Sequence, residues 1–234
     1  MSKSDRLADL GLFRSAAIFF PNVRKLASFP GHEFRPGGME KLFSGKMGHR
    51  EIQALQESYE ATRKELNAMP GGIPRTADDV RRILPHINPL EYKRNCTEAS
   101  MAVDDVLAGR AAVAGNSRHT NVLPDRFVDS NGKPVGGKID GAASNTDGFE
   151  RELLDAGPGS RGILWMARSN GDGHSANMAN LDGQVYRIDG QLSGYLKGPD
   201  GARLPVILDN KQWGILNKDA GGDFEFFKLF RTDS

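Results

Sequence analysis

The stretch Gly173-His174-Ser175-Ala176-Asn177-Met178-Ala179-Asn180-Leu181-Asp182-Gly183-Gln184-Val185-Tyr186-Arg187-Ile188-Asp189-Gly190-Gln191 decides the architecture. Asp182-Gly183 is a strong hairpin signal, because a two-residue turn needs positive φ at both positions and these residue types tolerate it. With that pair as the loop, Leu181 faces Gln184, Ala176 faces Asp189 and His174 faces Gln191. Side chains alternate along a strand, so His174, Ala176, Asp189 and Gln191 project from one face, while Tyr186 and Ile188 pack on the other. His174 and Asp189 become diagonal neighbours within side-chain reach. One hairpin therefore delivers an imidazole, a carboxylate and an amide to one place. The plainer reading of Asp189 and Gln191 is a polar strand face, and of His174 a solvated turn residue.

Working outward, strand-like runs lie at 162–168, 175–180, 184–188, 205–208 and 223–230, the last alternating Phe224, Phe226, Lys228 and Phe230 on one side. Helices are expected at 50–68, with Ile52, Leu55, Tyr59 and Leu66 near helical spacing, and at 76–84, with Asp78 and Asp79 at the positive end of its dipole. Two more are expected at 96–107 and 148–156. Segment 28–48 is rich in Gly and Pro and reads as loop; 114–147 reads as a surface excursion with a short strand at 126–128. Helices followed by antiparallel strands make the fold class α+β.

Composition narrows the function. Hydrophobic residues are 38% and charged residues 26% of the 234, enough for a packed core and against wholesale disorder. Basic and acidic side chains number 31 and 30, so there is no basic excess to attract nucleic acid. No run approaches the roughly 20 apolar residues of a membrane span. The run Ala16-Ala17-Ile18-Phe19-Phe20, ended by Pro21, is too short for a signal-peptide core. Residues 1–90 carry 14 basic and 10 acidic groups, and residues 91–234 carry 17 and 20, so a mildly basic front meets a mildly acidic back. A boundary near residue 87 divides a helical, loop-rich N-terminal extension (1–87) from a second domain (88–234).

The one cysteine, Cys96, excludes an internal disulfide and a multi-cysteine zinc site. Asp172, His174 and Asp189 lack a second histidine or cysteine at ligand spacing, so neither a metal nor any other cofactor is called for. His32, His49, His86 and His119 show no pairing. Asn95 and Glu98 form the pattern of a capping box, with Cys96 as first helical residue. There its sulfur meets unpaired N–H groups and a positive dipole end, which favours thiolate. Ala99, Val103, Val106 and Leu107 share its face. Two readings of Cys96 therefore stand: a nucleophile, or the inert first member of a core stripe.

The run from Asn88-Pro89 to Asn95-Cys96, the segment Gly157-Pro158-Gly159-Ser160-Arg161-Gly162-Ile163, Gly173-His174 with Asn177, and Asp189-Gly190-Gln191 resemble, in that order, the papain-like fold toxin domain of bacterial polymorphic toxins. That group is similar to effectors that deamidate host glutamines. The resemblance covers residues 88–200 and implies a thiol nucleophile at Cys96, a general base and acid at His174, and an orienting carboxylate at Asp189. It also implies an oxyanion site built from the Cys96 N–H and a side chain. The papain glutamine is absent, since Leu90 stands six residues before Cys96; Asn88 or Asn95 can substitute, and Gln191 can support the site. Asn95 is equally explained as a helix cap.

The expectation is an α+β papain-like thiol hydrolase that deamidates a glutamine or asparagine of a target protein. Its rivals are a cysteine protease with the same triad and a non-catalytic interaction module with a structural cysteine. The toxin context implies a protein substrate and an immunity protein or secretion chaperone as partners. It also implies injection by a delivery system and action in a target cell's cytoplasm. Residues 1–87 would serve delivery, chaperone docking or cover of the cleft.

Overall fold

A computed structural model describes residues 33–34, 49–115, 127–128, 143–167, 173–191, 206–213 and 224–233. The apolar run at 16–20, His32, His119 and most of the two loop-rich stretches lie outside the described residues, as do the side chains of His49 and Ile52. Four α-helices are described: α1 His49–Asn67, α2 Ala77–Ile83, α3 Cys96–Leu107 and α4 Asp147–Ala156. The strands are β1 Glu33–Phe34, β2 Phe127–Val128, β3 Arg161–Ala167, β4 Gly173–Leu181, β5 Gln184–Asp189, β6 Val206–Leu208 and β7 Phe226–Arg231. β1 pairs with β2, and the other five form an antiparallel sheet in the order β6-β5-β4-β3-β7. The α+β class is borne out, and its features fit a papain-like fold.

The central hairpin forms in the register expected. Leu181 pairs with Gln184 and Asn177 with Ile188. Asp182 and Gly183 have φ of 53° and 86°, the two positive values that a tight turn of matching twist demands. The Asn180 carboxamide oxygen accepts from Gly183 N–H at 2.9 Å and steadies the turn. At the opposite end of the hairpin, β4 begins and β5 finishes side by side.

Both faces of the sheet are covered. On one, α3 packs Ala99, Val103, Val106 and Leu107 with Ala179, Leu181, Ile188 and Ile207. Leu66, Met69, Val80, Ile83, Leu84 and Ile87 join this same cluster, so residues on either side of position 87 share one core. On the other face, Leu153 of α4 packs with Leu164, Met166, Ala176, Met178, Val185 and Phe227. Burying each of the larger side chains among these contributes about 1.5–3 kcal/mol, which makes these contacts the main reason that the layers stay together. Two-sided cover also changes the reading of the last strand. β7 runs three residues later than the expected 223–230 start, and its buried aromatics, Phe227 and Phe230, come from opposite faces.

Two helix starts illustrate local chemistry. Thr76 caps α2 in a complete capping box with Asp79, as its Thr-x-x-Asp sequence allows. Asn95 and Glu98 do not repeat this at α3. Asn95 occupies the N-cap position but makes no side-chain cap bond. Its amide is drawn instead into a buried network with residues distant in sequence.

Gly190 is a point of close approach between the hairpin and α3. A Cβ there would sit 2.7 Å from Val103 Cγ2 and 2.9 Å from Ile87 Cγ2. Both are short branched side chains with little room to yield. Gly190→Ala is therefore expected to cost about 1–3 kcal/mol through overpacking. A urea midpoint equal to wild type's, with unchanged slope, would contradict this close fit.

Candidate active site

Cys96 opens α3 at the end of the sheet where β4 starts and β5 stops. It is partly exposed, whereas every other residue of the helix except Met101 is buried. His174, the second residue of β4, hydrogen-bonds through Nε2 to Asp189 Oδ2 at 2.7 Å. Its side chain keeps 17% of its surface exposed and the Asp189 side chain 10%, so the pair is shielded yet reachable. The imidazole also hydrogen-bonds the Cys96 thiol. With Nε2 held by the carboxylate, Nδ1 is the ring nitrogen left for the sulfur. Phe224 stacks on the ring with centroids 6.4 Å apart and planes 25° from parallel, which restricts its swing.

The electrostatics follow from this order. Burial alone would lower the pKa of His174, but the charge and hydrogen bond of Asp189, with a smaller effect of Cys96, raise it to about 10. Burial alone would raise the pKa of Cys96, but the hydrogen bond and charge of His174 and hydrogen bonding from Ser175 bring it below the usual thiol value. Opposite charges thus favour one another across the pair. The two protons belong to a coupled system and not to either group alone.

Asp189 does a second thing. Its Oδ1 accepts the Gln191 N–H at 2.9 Å, so one carboxylate orients the histidine and closes the strand end. The Gln191 side chain then reaches the start of α3. The donors around its amide assign the orientation: with Oε1 turned to the helix, it accepts from the N–H groups of Asn95 and Cys96, both at 2.9 Å. Gln191 therefore supplies the cap that Asn95 and Glu98 were expected to form. The Asn95 amide donates to Asn88 Oδ1 at 3.1 Å and to the Gly115 carbonyl at 2.9 Å. Asn88 in turn bonds both the N–H and the carbonyl of Tyr92.

The structure thus brings all six expected residues together. Cys96, His174 and Asp189 form a chain of contacts, and Gln191, Asn95 and Asn88 form a buried brace behind it. The geometry also separates donors already engaged from donors still free. Asn95 spends both amide hydrogens inside the brace, so it has none left for an oxyanion in this arrangement, while Asn88 gives one to the Tyr92 carbonyl. The Cys96 N–H faces Gln191, and an incoming carbonyl oxygen must displace that amide to use it.

Ser175 and Phe224 were not singled out by sequence reasoning. Ser175 had a signal, since it adjoins His174 and alternation turns it toward α3. Phe224 had none, because its contact with His174 joins distant segments. Trp213 packs on the sheet's second core cluster with Arg187 5.5 Å from its ring centroid. Trp165 packs partly buried beside Ile163 and Phe230, in line with a core role. Among the described residues, no group of three His, Cys, Asp or Glu side chains could hold a metal ion.

Residues 94–194 match the family described as papain fold toxin 1, glutamine deamidase. The match covers less than half of the chain, lies inside the stretch 88–200, and includes Cys96, His174, Asp189, Asn95 and Gln191. No curated protein and no solved structure matches the chain. No described helix is long and apolar enough to cross a membrane.

Proposed function

We propose that this protein is a toxin or effector enzyme that hydrolyses a side-chain carboxamide, converting a glutamine or asparagine of a target protein to the acid. The observation that carries the reading is the 2.7 Å bond from His174 to Asp189, with the other side of the same ring on the Cys96 thiol at a helix start. The family match over residues 94–194 supports the choice of carboxamide as substrate.

In this reading the Cys96 thiolate attacks the carboxamide carbon and forms a C–S bond. His174, charged in the resting pair, gives its proton to the leaving nitrogen, and ammonia departs. Water, deprotonated by the now neutral His174, attacks the thioester. The C–S bond breaks, releasing the acid and restoring the thiolate–imidazolium pair. Asp189 keeps the ring in one tautomer and stabilises its charge throughout. The developing oxyanion is met by the Cys96 N–H once the Gln191 amide has moved aside. Asn88 and Asn95 act as supports that hold the segment before the helix. The protein is delivered by a secretion machine, acts inside the recipient cell and is held in check in the producer by a binding partner. The division into an N-terminal extension (1–87) and a catalytic domain (88–234) belongs to the same proposal, the extension sharing the core of the catalytic part.

Peptide-bond cleavage uses the same groups and differs only in the leaving amine. Intact-mass spectrometry of target-cell proteins after expression separates the two. A gain of about one dalton per site without chain cleavage is expected, because NH₂ is replaced by OH. Fragments in place of that gain would mean proteolysis, and neither change would remove the enzyme reading.

A further inference from the structure

Ser175 follows His174 in β4, so the two side chains leave the strand on opposite sides. His174 shares its side with Asp189, and Ser175 is turned to the face covered by α3. It is 1% exposed. Among the described residues its hydroxyl has no hydrogen-bond partner of normal geometry, and it stands on the α3 face next to the histidine that meets Cys96, where hydrogen bonding from its hydroxyl and backbone N–H lowers the pKa of that thiol. A buried hydroxyl without a partner is costly, about 1–3 kcal/mol, and calls for an explanation. A thiol is a poor acceptor, whereas a thiolate is a strong one. The missing partner is therefore an acceptor that exists in only one charge state of its neighbour.

We propose that Ser175 is a positioning residue whose hydroxyl donates to the Cys96 thiolate, holding the sulfur as an anion on the side away from His174. This deepens the thiol-hydrolase reading and rests on it. The sulfur is gripped from two sides by consecutive residues of one strand, the imidazolium and the hydroxyl. The grip fixes the direction of the sulfur's remaining lone pair toward the cleft. It also releases when negative charge leaves the sulfur on acylation, so the hydroxyl favours return of the thiolate in the second step.

The titratable and charged groups on the elements around Ser175 are His174 on its own strand, Cys96, Glu98, Asp104 and Asp105 on α3, Tyr186, Arg187 and Asp189 on β5, and Arg161 on β3. Across β3 its facing residue is Trp165, and beyond that Lys228 of β7. Asn177, two residues along the same face, is also buried with neither amide atom partnered among the described residues, and it makes a control of matched location.

The test is the pH dependence of Cys96 alkylation by iodoacetamide in the full chain, for wild type, Ser175→Ala, His174→Ala and Asn177→Leu. One hydrogen bond to a charged group corresponds to about one to two pH units. Ser175→Ala is expected to raise the midpoint by about one unit and to slow alkylation about tenfold below it, while Asn177→Leu leaves the midpoint in place. The shape-matched pair Ser175→Thr and Ser175→Val serves if the alanine variant folds poorly: threonine keeps the wild-type midpoint and valine raises it. An unmoved midpoint in Ser175→Ala or Ser175→Val, alongside a raised one in His174→Ala, overturns the role of Ser175 and leaves the hydrolase reading intact. An unmoved midpoint in His174→Ala overturns that reading and this inference with it.

Discussion

A Cys96→Ala protein is expected to lose at least about 10⁴-fold in turnover, the scale seen when the nucleophile of a cooperating catalytic unit is removed. Nothing else in the chain can take its place, since Cys96 is the one cysteine. Folding should barely change. The side chain is partly exposed, and the start of α3 is held by Gln191 and by Asn95's amide bonds, none of which uses the sulfur. The measurement is conversion of glutamine to glutamate across a target-cell proteome, beside a thermal melt of the same protein. Full conversion by the alanine variant would return Cys96 to the role of core filler. A large fall in melting temperature would mean that the sulfur matters mainly to packing.

Asp189→Asn is expected to lower turnover by about 10³–10⁴-fold while leaving the protein folded. The replacement is nearly isosteric, and its remaining oxygen can still accept the Gln191 N–H. The new NH₂ group must face His174 Nε2, where the carboxylate oxygen was. That nitrogen then becomes an acceptor, so the ring proton moves to the nitrogen beside the sulfur and the imidazole can no longer act as a base there. The variant has a second signature in pH. His174 is raised to about 10, chiefly because Asp189 outweighs the effect of burial. A histidine raised on folding stabilises fully below its unfolded value and loses that contribution as pH climbs through the folded one. Removing the carboxylate lets burial dominate, so the alkaline limb of activity, set by loss of the imidazolium, should move to lower pH. An unchanged limb would show that another group holds the ring's charge.

The parts of the fold written in short-range chemistry could be read from the chain. Asp182-Gly183 demanded a tight turn, strict alternation set the faces, and together they brought His174 to Asp189 before any coordinates. Asp78 and Asp79, at the positive end of a dipole, similarly marked the start of α2. At α3 the same kind of local reasoning failed. Asn95 had the right type and place, but a cap 96 residues away, Gln191, competes for the same N–H groups. A buried amide with several partners within reach takes the set that satisfies most of them, and that choice is made by tertiary contacts. The last strand keeps its expected alternation and starts three residues late, for a related reason. A one-sided pattern was assumed for a strand that is covered on both faces, where alternation carries little information. Ser175 sat in plain view beside His174, yet its role depends on which helix crosses that face. Charge and composition marked residue 87 as a divide, whereas the apolar clusters that hold the layers ignore it.

That continuity separates kinship from self-sufficiency. A polypeptide cut to residues 94–194 would keep Cys96, His174, Asp189, Asn95 and Gln191 and lose Asn88, β7, β6 and the first two helices. Leu66, Val80, Ile83, Leu84 and Ile87 are what Val103 and Ile188 rest against, and Phe227 and Phe230 close the far edge. Any exchange of this catalytic cassette between carriers, by nature or in the laboratory, must therefore move its flanks with it, or else transplant a naked, sticky half-sheet.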